Sequence, residues 1–262
     1  MIKELKVKPG PKYCSWWDKV PQLTDRSSIK FKPGLNLLIG PNGSGKSTIV
    51  LTLAKFFHCA QGGFQRVTEN SISDSFMEDF KDKKYWDNYI FKADNIKVVH
   101  DGSPVSYFAA GSTVGIKYGA FDDDFFEEGL KNLMCKGSSG QTIAIGLNRV
   151  THSFPEIKYM MNKKHVNKTW AGWIERIEKS LEPNIPKTDS PTLLLDEVER
   201  SLDIKNHIKL VNMVIPRLLE AKVQIIMATH SPLFLKKKYN ANIIELEEGY
   251  LEGCNNLLKE FL

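Results

Sequence analysis

Residues 2–8 alternate apolar and polar positions, the period of a half-buried strand, and residues 28–32 repeat that period. Leu35 to Ile39 is instead a short apolar run, which predicts a strand buried on both faces. A glycine-rich turn follows. It leads into a predicted helix over about residues 46–58, with Ile49, Val50, Leu51 and Leu53 as apolar positions and Gln61-Gly62-Gly63 as its end. Two further apolar runs, Leu193 to Leu195 and Val223 to Met227, predict two more buried strands. Between them Ile204, Ile208, Val211 and Ile215 share one helical face.

The remaining segments carry weaker patterns. Ile96 to His100 and Val105 to Ala109 read as strands around the turn Asp101-Gly102-Ser103-Pro104. Asp122-Asp123-Asp124 sits where a helix N-terminus would favour negative charge. A helix is predicted over 140–150, and a helical region over 155–182 that ends at Glu182-Pro183-Asn184-Ile185-Pro186. Ile243 to Leu246 with Tyr250-Leu251 suggests a closing hairpin, and residues 255–262 a last helix. Strands alternating with helices give an α/β fold.

Composition narrows the class. With 262 residues, 42% hydrophobic and 26% charged, the chain is an ordinary globular protein with a sizeable core. The net charge is +5, and residues 1–39 alone carry eight Lys or Arg against three Asp or Glu. That segment is either a surface for a polyanion or a solvated lysine-rich face. The four cysteines, Cys14, Cys59, Cys135 and Cys254, lie far apart, so no zinc or CxxC spacing exists and free thiols are expected. No run reaches the ~18 apolar residues of a membrane helix, so no membrane insertion and a cytoplasmic location are expected.

The chemistry begins at Gly40-Pro41-Asn42-Gly43-Ser44-Gly45-Lys46-Ser47, followed by Thr48. This is GxxxxGK[ST] between a predicted buried strand and a helix, the context that makes it a phosphate-binding loop. Glycines let backbone amides approach phosphate oxygens, and the helix N-terminus adds partial positive charge. Lys46 would reach the β- and γ-phosphates of ATP, and the Ser47 hydroxyl would ligate Mg2+. The second element is Leu193-Leu194-Leu195-Asp196-Glu197, two carboxylates at the carboxyl end of a buried strand, where α/β sheets bind ligands. Asp196 would join the magnesium shell, and Glu197 would orient or deprotonate the attacking water.

These residues resemble the ABC-type ATPase superfamily. Three further pieces stand in that family's order. Ser138-Ser139-Gly140-Gln141 resembles the signature loop LSGGQ, with Gly137 where its leucine would be. Ser201-Leu202-Asp203 resembles the D-loop, and Ala228-Thr229-His230-Ser231-Pro232 resembles the H-loop. The resemblance covers about residues 1–55 and 135–250. It implies a two-lobed ATPase head: lobe I over about 1–60 and 190–262, and a helical lobe carrying the signature loop over about 61–189. It also implies a homodimer with ATP sandwiched between two heads. Ser138 and the amides near Gly140 would then contact the partner's γ-phosphate, His230 would sense it, and Asp203 would join the two sites. The Q-loop candidates are Gln61 and Gln65, and Tyr13, Trp16 or Trp17 either stacks on the adenine or packs in the core.

Within that superfamily the resemblance is to the heads of SMC, RecF and OLD-like proteins. Gly140 and Asp196 lie 56 positions apart, farther than in transporter subunits, and Val198 stands where transporters carry proline. The chain reads as a bare head, which implies a separate effector. A segment with Lys158, Lys163, Lys164, His165, Lys168, Trp170 and Trp173 is open to three readings. It touches nucleic acid, docks a partner, or covers the core as a helical hairpin. Two roles follow from the resemblance: an ATPase driving a DNA-linked process (repair, chromosome handling or mobile-element defence), or a nucleotide switch that controls a toxin or nuclease without touching DNA.

Overall fold

The structure, a computed structural model, describes residues 1–7, 28–57, 63–64, 96–103, 105–109, 188, 190–235 and 239–261. Its centre is a six-stranded sheet. In spatial order the strands are β4 (Gly63–Phe64), β6 (Val105–Ala109), β7 (Thr192–Asp196), β8 (Gln224–Ala228), β3 (Leu35–Ile39) and β9 (Asn242–Glu245). β6, β7, β8, β3 and β9 run parallel, and β4 pairs antiparallel with β6 at one edge. A second, antiparallel sheet has the order β2 (Ser28–Lys30), β1 (Ile2–Val7), β5 (Ile96–His100).

The apolar runs become strands because both faces of the large sheet are covered. On one face Leu38, Leu194 and Ile226 pack with helix α1 (Lys46–Phe56) and with Ile2, Leu5, Ile29 and Val98 of the small sheet. α1 is thus held between the two sheets. On the other face Leu37, Ile39, Leu193, Leu195, Ile225 and Met227 pack against a helical segment. That segment is α2 (Ile204–Lys209), a π-helical turn (Leu210–Val214) and α3 (Ile215–Glu220). Helix α4 (Tyr250–Phe261) adds Tyr250 and Leu251 to this second core.

The strands predicted at 96–100 and 105–109 form with those bounds, and they belong to different sheets: β5 joins the small sheet and β6 the large one. Two sequence expectations are corrected. No closing hairpin forms at the C-terminal end, because β9 pairs parallel with β3 and Tyr250 opens a helix. The helical face drawn through Ile204 and Ile208 is buried only in its second half. Ile204 is 69% and Ile208 45% exposed, whereas Leu210, Val211, Ile215 and Leu218 are buried. The helix widens here, with the Ile215 amide reaching back to the Leu210 carbonyl. Pro216 accounts for this, since it lacks an N–H and its ring crowds the carbonyl four residues earlier.

One buried glutamine joins the two sheets. Gln224 Oε1 accepts from the Ile2 amide at 2.7 Å and the Thr192 hydroxyl at 2.8 Å. Its Nε2 donates to the Ile2 carbonyl at 2.7 Å and the Lys32 carbonyl at 2.9 Å. Every donor and acceptor of the amide is used. Replacing Gln224 by Leu leaves several buried polar groups unpaired, at about 1–3 kcal/mol each before relaxation. Gln224→Leu is therefore expected to lower the urea-unfolding free energy by about 3 kcal/mol, and an unchanged midpoint would contradict this bridge.

Candidate nucleotide site

The parallel strands all deliver their carboxyl ends to one edge of the large sheet, and the chemistry-bearing residues gather there. β3 ends at Ile39 and the loop 40–45 turns at once into α1. The loop is tightly wound. A Cβ at Gly40 would stand 2.6 Å from Ser44 Oγ and 3.3 Å from Leu246 Cβ. Gly43 has φ 80° and Gly45 φ 94°, values that favour glycine. Asn42 and Gly43 are exposed at the tip, while Ser44 is buried. Thr48 is half-buried on α1.

Lys46, only 3% exposed, donates from Nζ to the carbonyls of Gly40 and Pro41, both at 2.9 Å. Burial pushes its ammonium below the usual lysine range, against the opposing pull of Glu197, Asp196 and Glu199. Ser47 Oγ donates to Asp196 Oδ1 at 2.7 Å. The second residue of α1 and the last residue of β7 therefore touch across 149 positions of sequence. A hydroxyl and a carboxylate side by side are hard oxygen donors of the kind magnesium takes, with phosphate oxygens and waters completing the shell. The residues present fit that ion. Among the described residues no group of three or more His, Cys, Asp or Glu is disposed to hold a metal.

Glu197 follows Asp196 and adopts a left-handed conformation, φ 46° and ψ 41°, uncommon for a residue with a long side chain. Its amide donates to the Ala228 carbonyl at 3.0 Å, and Val198 behind it is fully buried. The turn that results brings Glu197 Oε1 to 3.2 Å from His230 Nε2, with Arg200 3.8 Å from Oε2. His230 lies just past the end of β8, which is the neighbour of β7 in the sheet. Asp203 is engaged within its own chain: it caps α2, accepting from the Asn206 amide at 2.8 Å and the Asn206 side chain at 2.9 Å.

The structure thus brings together Lys46, Ser47, Asp196, Glu197 and His230, and sets Asp203 one turn away at the head of α2. It also supplies a residue that sequence reasoning passed over. Glu199 accepts from the Thr229 hydroxyl at 2.6 Å and the His230 amide at 2.9 Å. The signal available was a third carboxylate in Asp196-Glu197-Val198-Glu199, separated from Glu197 by one apolar residue. Ser138, Ser139, Gly140, Gln141, Gln61, Gln65, Tyr13, Trp16, Trp17 and the basic, aromatic segment from Lys158 to Trp173 lie outside the described residues. Among the described residues no helix is long and apolar enough to cross a membrane.

A phosphate loop between a buried strand and a helix, faced by an acidic strand end in a parallel sheet, defines an α/β P-loop nucleotide-binding protein. A family model described as an AAA domain matches residues 21–249, most of the chain, and the chain belongs to that family of P-loop ATPase domains. None of the curated proteins compared matches it significantly.

Burial raises the Asp196 carboxyl to about 6, with the Ser47 hydrogen bond opposing and the negative charges of Glu197 and Glu199 adding to the rise. The folded protein therefore binds this proton more tightly than the unfolded chain does. The favourable contribution is complete below the ordinary carboxylate range, and is lost as pH rises through about 6. Asp196→Asn keeps an acceptor for Ser47 without the charge. Without nucleotide or metal it is expected to melt several degrees above wild type at pH 7.5, and the margin should close towards pH 4. A margin independent of pH in differential scanning fluorimetry would rule out the buried charge as its source.

Proposed function

We propose that the chain binds Mg-ATP and hydrolyses it as an ABC-type head of the SMC, RecF and OLD-like kind. The observation that carries this is the 2.7 Å contact between Ser47 and Asp196, which sets the phosphate loop against the acidic strand end. Glu197, aimed beside His230, accepts a proton from the attacking water, and His230 reads the γ-phosphate. Lys46 exchanges its two loop carbonyls for phosphate oxygens. Ser47 and Asp196 would hold magnesium, which when bound would supply positive charge at the transferring phosphoryl. The phosphates would lie on the amides of 42–45 and the α1 N-terminus, with Ser47 and Thr48 at its first turn.

The working unit in this reading is a head-to-head homodimer. Ser138, Ser139, Gly140 and Gln141 of one head face the ATP of the other, carried on a helical lobe over about 61–189. The exposed apolar pair Ile204 and Ile208, next to Asp203 on α2, supports a contact surface at this edge. The output we favour is an intracellular DNA-linked process acting through a separate effector protein. Lys6, Lys30 and Lys97 are exposed on the small sheet, where Lys6 and Lys97 stand opposite each other; three lysines against the single Glu4, which Lys6 meets at 3.2 Å, support a polyanion contact.

Glu197→Gln is expected to cut steady-state ATP turnover about 100-fold or more while leaving nucleotide binding in place. The same variant with saturating Mg-ATP should sediment as a dimer. Unchanged turnover would overturn the role of Glu197, and a monomer at high protein concentration would overturn the sandwich. Binding to duplex DNA should weaken steeply with salt and with Lys6→Glu/Lys97→Glu, and no binding at low salt would favour the effector-switch role instead.

A further inference from the structure

We propose that Glu199 is a positioning residue that sets the γ-phosphate sensor, which deepens and rests on the hydrolysis reading above. The turn after β7 grips His230 at two points. Glu197 reaches the imidazole, at 3.2 Å from Nε2, and Glu199 fixes the backbone, accepting the His230 amide at 2.9 Å. The second bond to Glu199 Oε1 comes from Thr229 Oγ1 at 2.6 Å. That hydroxyl is itself oriented, because its oxygen accepts the Ser231 amide at 3.0 Å and leaves its proton for Glu199. The Thr229 amide in turn donates to the Leu38 carbonyl of β3 at 3.3 Å. Thr229 is buried and its hydroxyl bond to Glu199 partly so, while the His230 amide bond lies at the exposed end of the bracket. Glu199 thus ties the end of β8 to the turn that carries Glu197. The imidazole and the carboxylate it faces then move as one unit rather than as two independent loops. Glu199 Oε2 is buried without a hydrogen-bond partner among the described residues, so nothing else there competes for the side chain. A residue whose bonds go to the backbone of the sensor, and not to a ligand, should affect the rate of the chemical step more than affinity for ATP.

The test compares Glu199→Ala, Glu199→Gln and wild type. Gln retains an oxygen that accepts both bonds, and Ala retains neither. Ala should lower kcat about 10- to 100-fold with KM for ATP within about threefold, and Gln should recover most of that loss. Equal kcat in Ala and wild type would overturn the proposal, as would a Gln variant as slow as Ala, which would make charge rather than the two bonds the cause. A fall in ATP affinity matching the fall in kcat would overturn it too. If Ala does not fold, Thr229→Val removes one of the bonds at nearly constant shape, and should lower kcat less, again with KM held. Hydrogen exchange at the His230 amide, measured without nucleotide, reads the bracket directly. It should be protected in wild type and Gln, and exchange at least about tenfold faster in Ala. An unprotected His230 amide in wild type overturns the bracket whatever the turnover. Equal turnover in wild type and Glu197→Gln overturns the hydrolysis reading, and the exchange result then still decides on Glu199.

Discussion

One buried ammonium is set against three carboxylates at the carboxyl edge of the large sheet, and the rest of the site is arranged around that imbalance. Lys46 is held by two carbonyls of its own loop, and Asp196 by the Ser47 hydroxyl, so each charge has a local partner. The carboxylates of Asp196, Glu197 and Glu199 still outnumber the cation. Burial accordingly lifts the Asp196 carboxyl to about 6, the negative neighbours add to the rise, and Lys46 offsets only part of it. Such an edge gains when positive charge is brought to it. The same residues that make it a good place for a divalent cation make it a costly place in the bare protein, which is a familiar tension between stability and function.

The scaffold meets that cost elsewhere, through buried polar contacts with complete partners. Gln224 uses both ends of its amide to fasten β1 and the Lys32 carbonyl to the starts of β7 and β8. Asn36 does similar work beside it. It accepts from the Lys32 amide and the Asn242 side chain, and donates towards the Lys32, Gly34 and Ile225 carbonyls. Both residues sit at the end of the large sheet opposite the phosphate loop. Satisfied polar networks of this kind specify a single strand register, and a fixed register is what places Asp196 next to Ala228 and hence Glu197 next to His230.

The parts legible in the sequence are those where one local rule decides the outcome. Leu35–Ile39, Leu193–Leu195 and Val223–Met227 read as buried strands because a sheet covered on both faces needs uninterrupted apolar residues, and the structure covers both faces. The loop at 40–47 was legible because glycine, lysine and serine are required at fixed offsets. The remaining parts have the opposite property. Which sheet β5 and β6 join is settled by distant strands β1 and β7, and no period in residues 96–109 carries that information. The face through Ile204 and Ile208 obeyed helical spacing, but Pro216 and the widened turn before it rotate the second half of the segment relative to the first. Glu199 was passed over for a related reason. Its partners, Thr229 and the His230 amide, lie 30 and 31 positions away, and one of them is a backbone group that has no letter in the sequence.

The left-handed Glu197 shows how these constraints meet. In an extended conformation, the residue after Asp196 would continue along β7 and direct its side chain to one face of the sheet. With φ 46° the chain instead turns at once, the Glu197 amide bonds to the Ala228 carbonyl, and Val198 drops into the core. Glycine would adopt this conformation with less strain, yet glycine has no carboxylate to offer. The strain is therefore the cost of putting an acid at this one position, and it persists because both flanks are fixed. Behind it stands a buried valine. Ahead of it, the Glu199 side chain is bonded to the start of the loop that carries His230. A strained residue held from two sides keeps its geometry when the charge beside it changes, which under the proposed hydrolysis is what a carboxylate would need to meet each new attacking water in the same place.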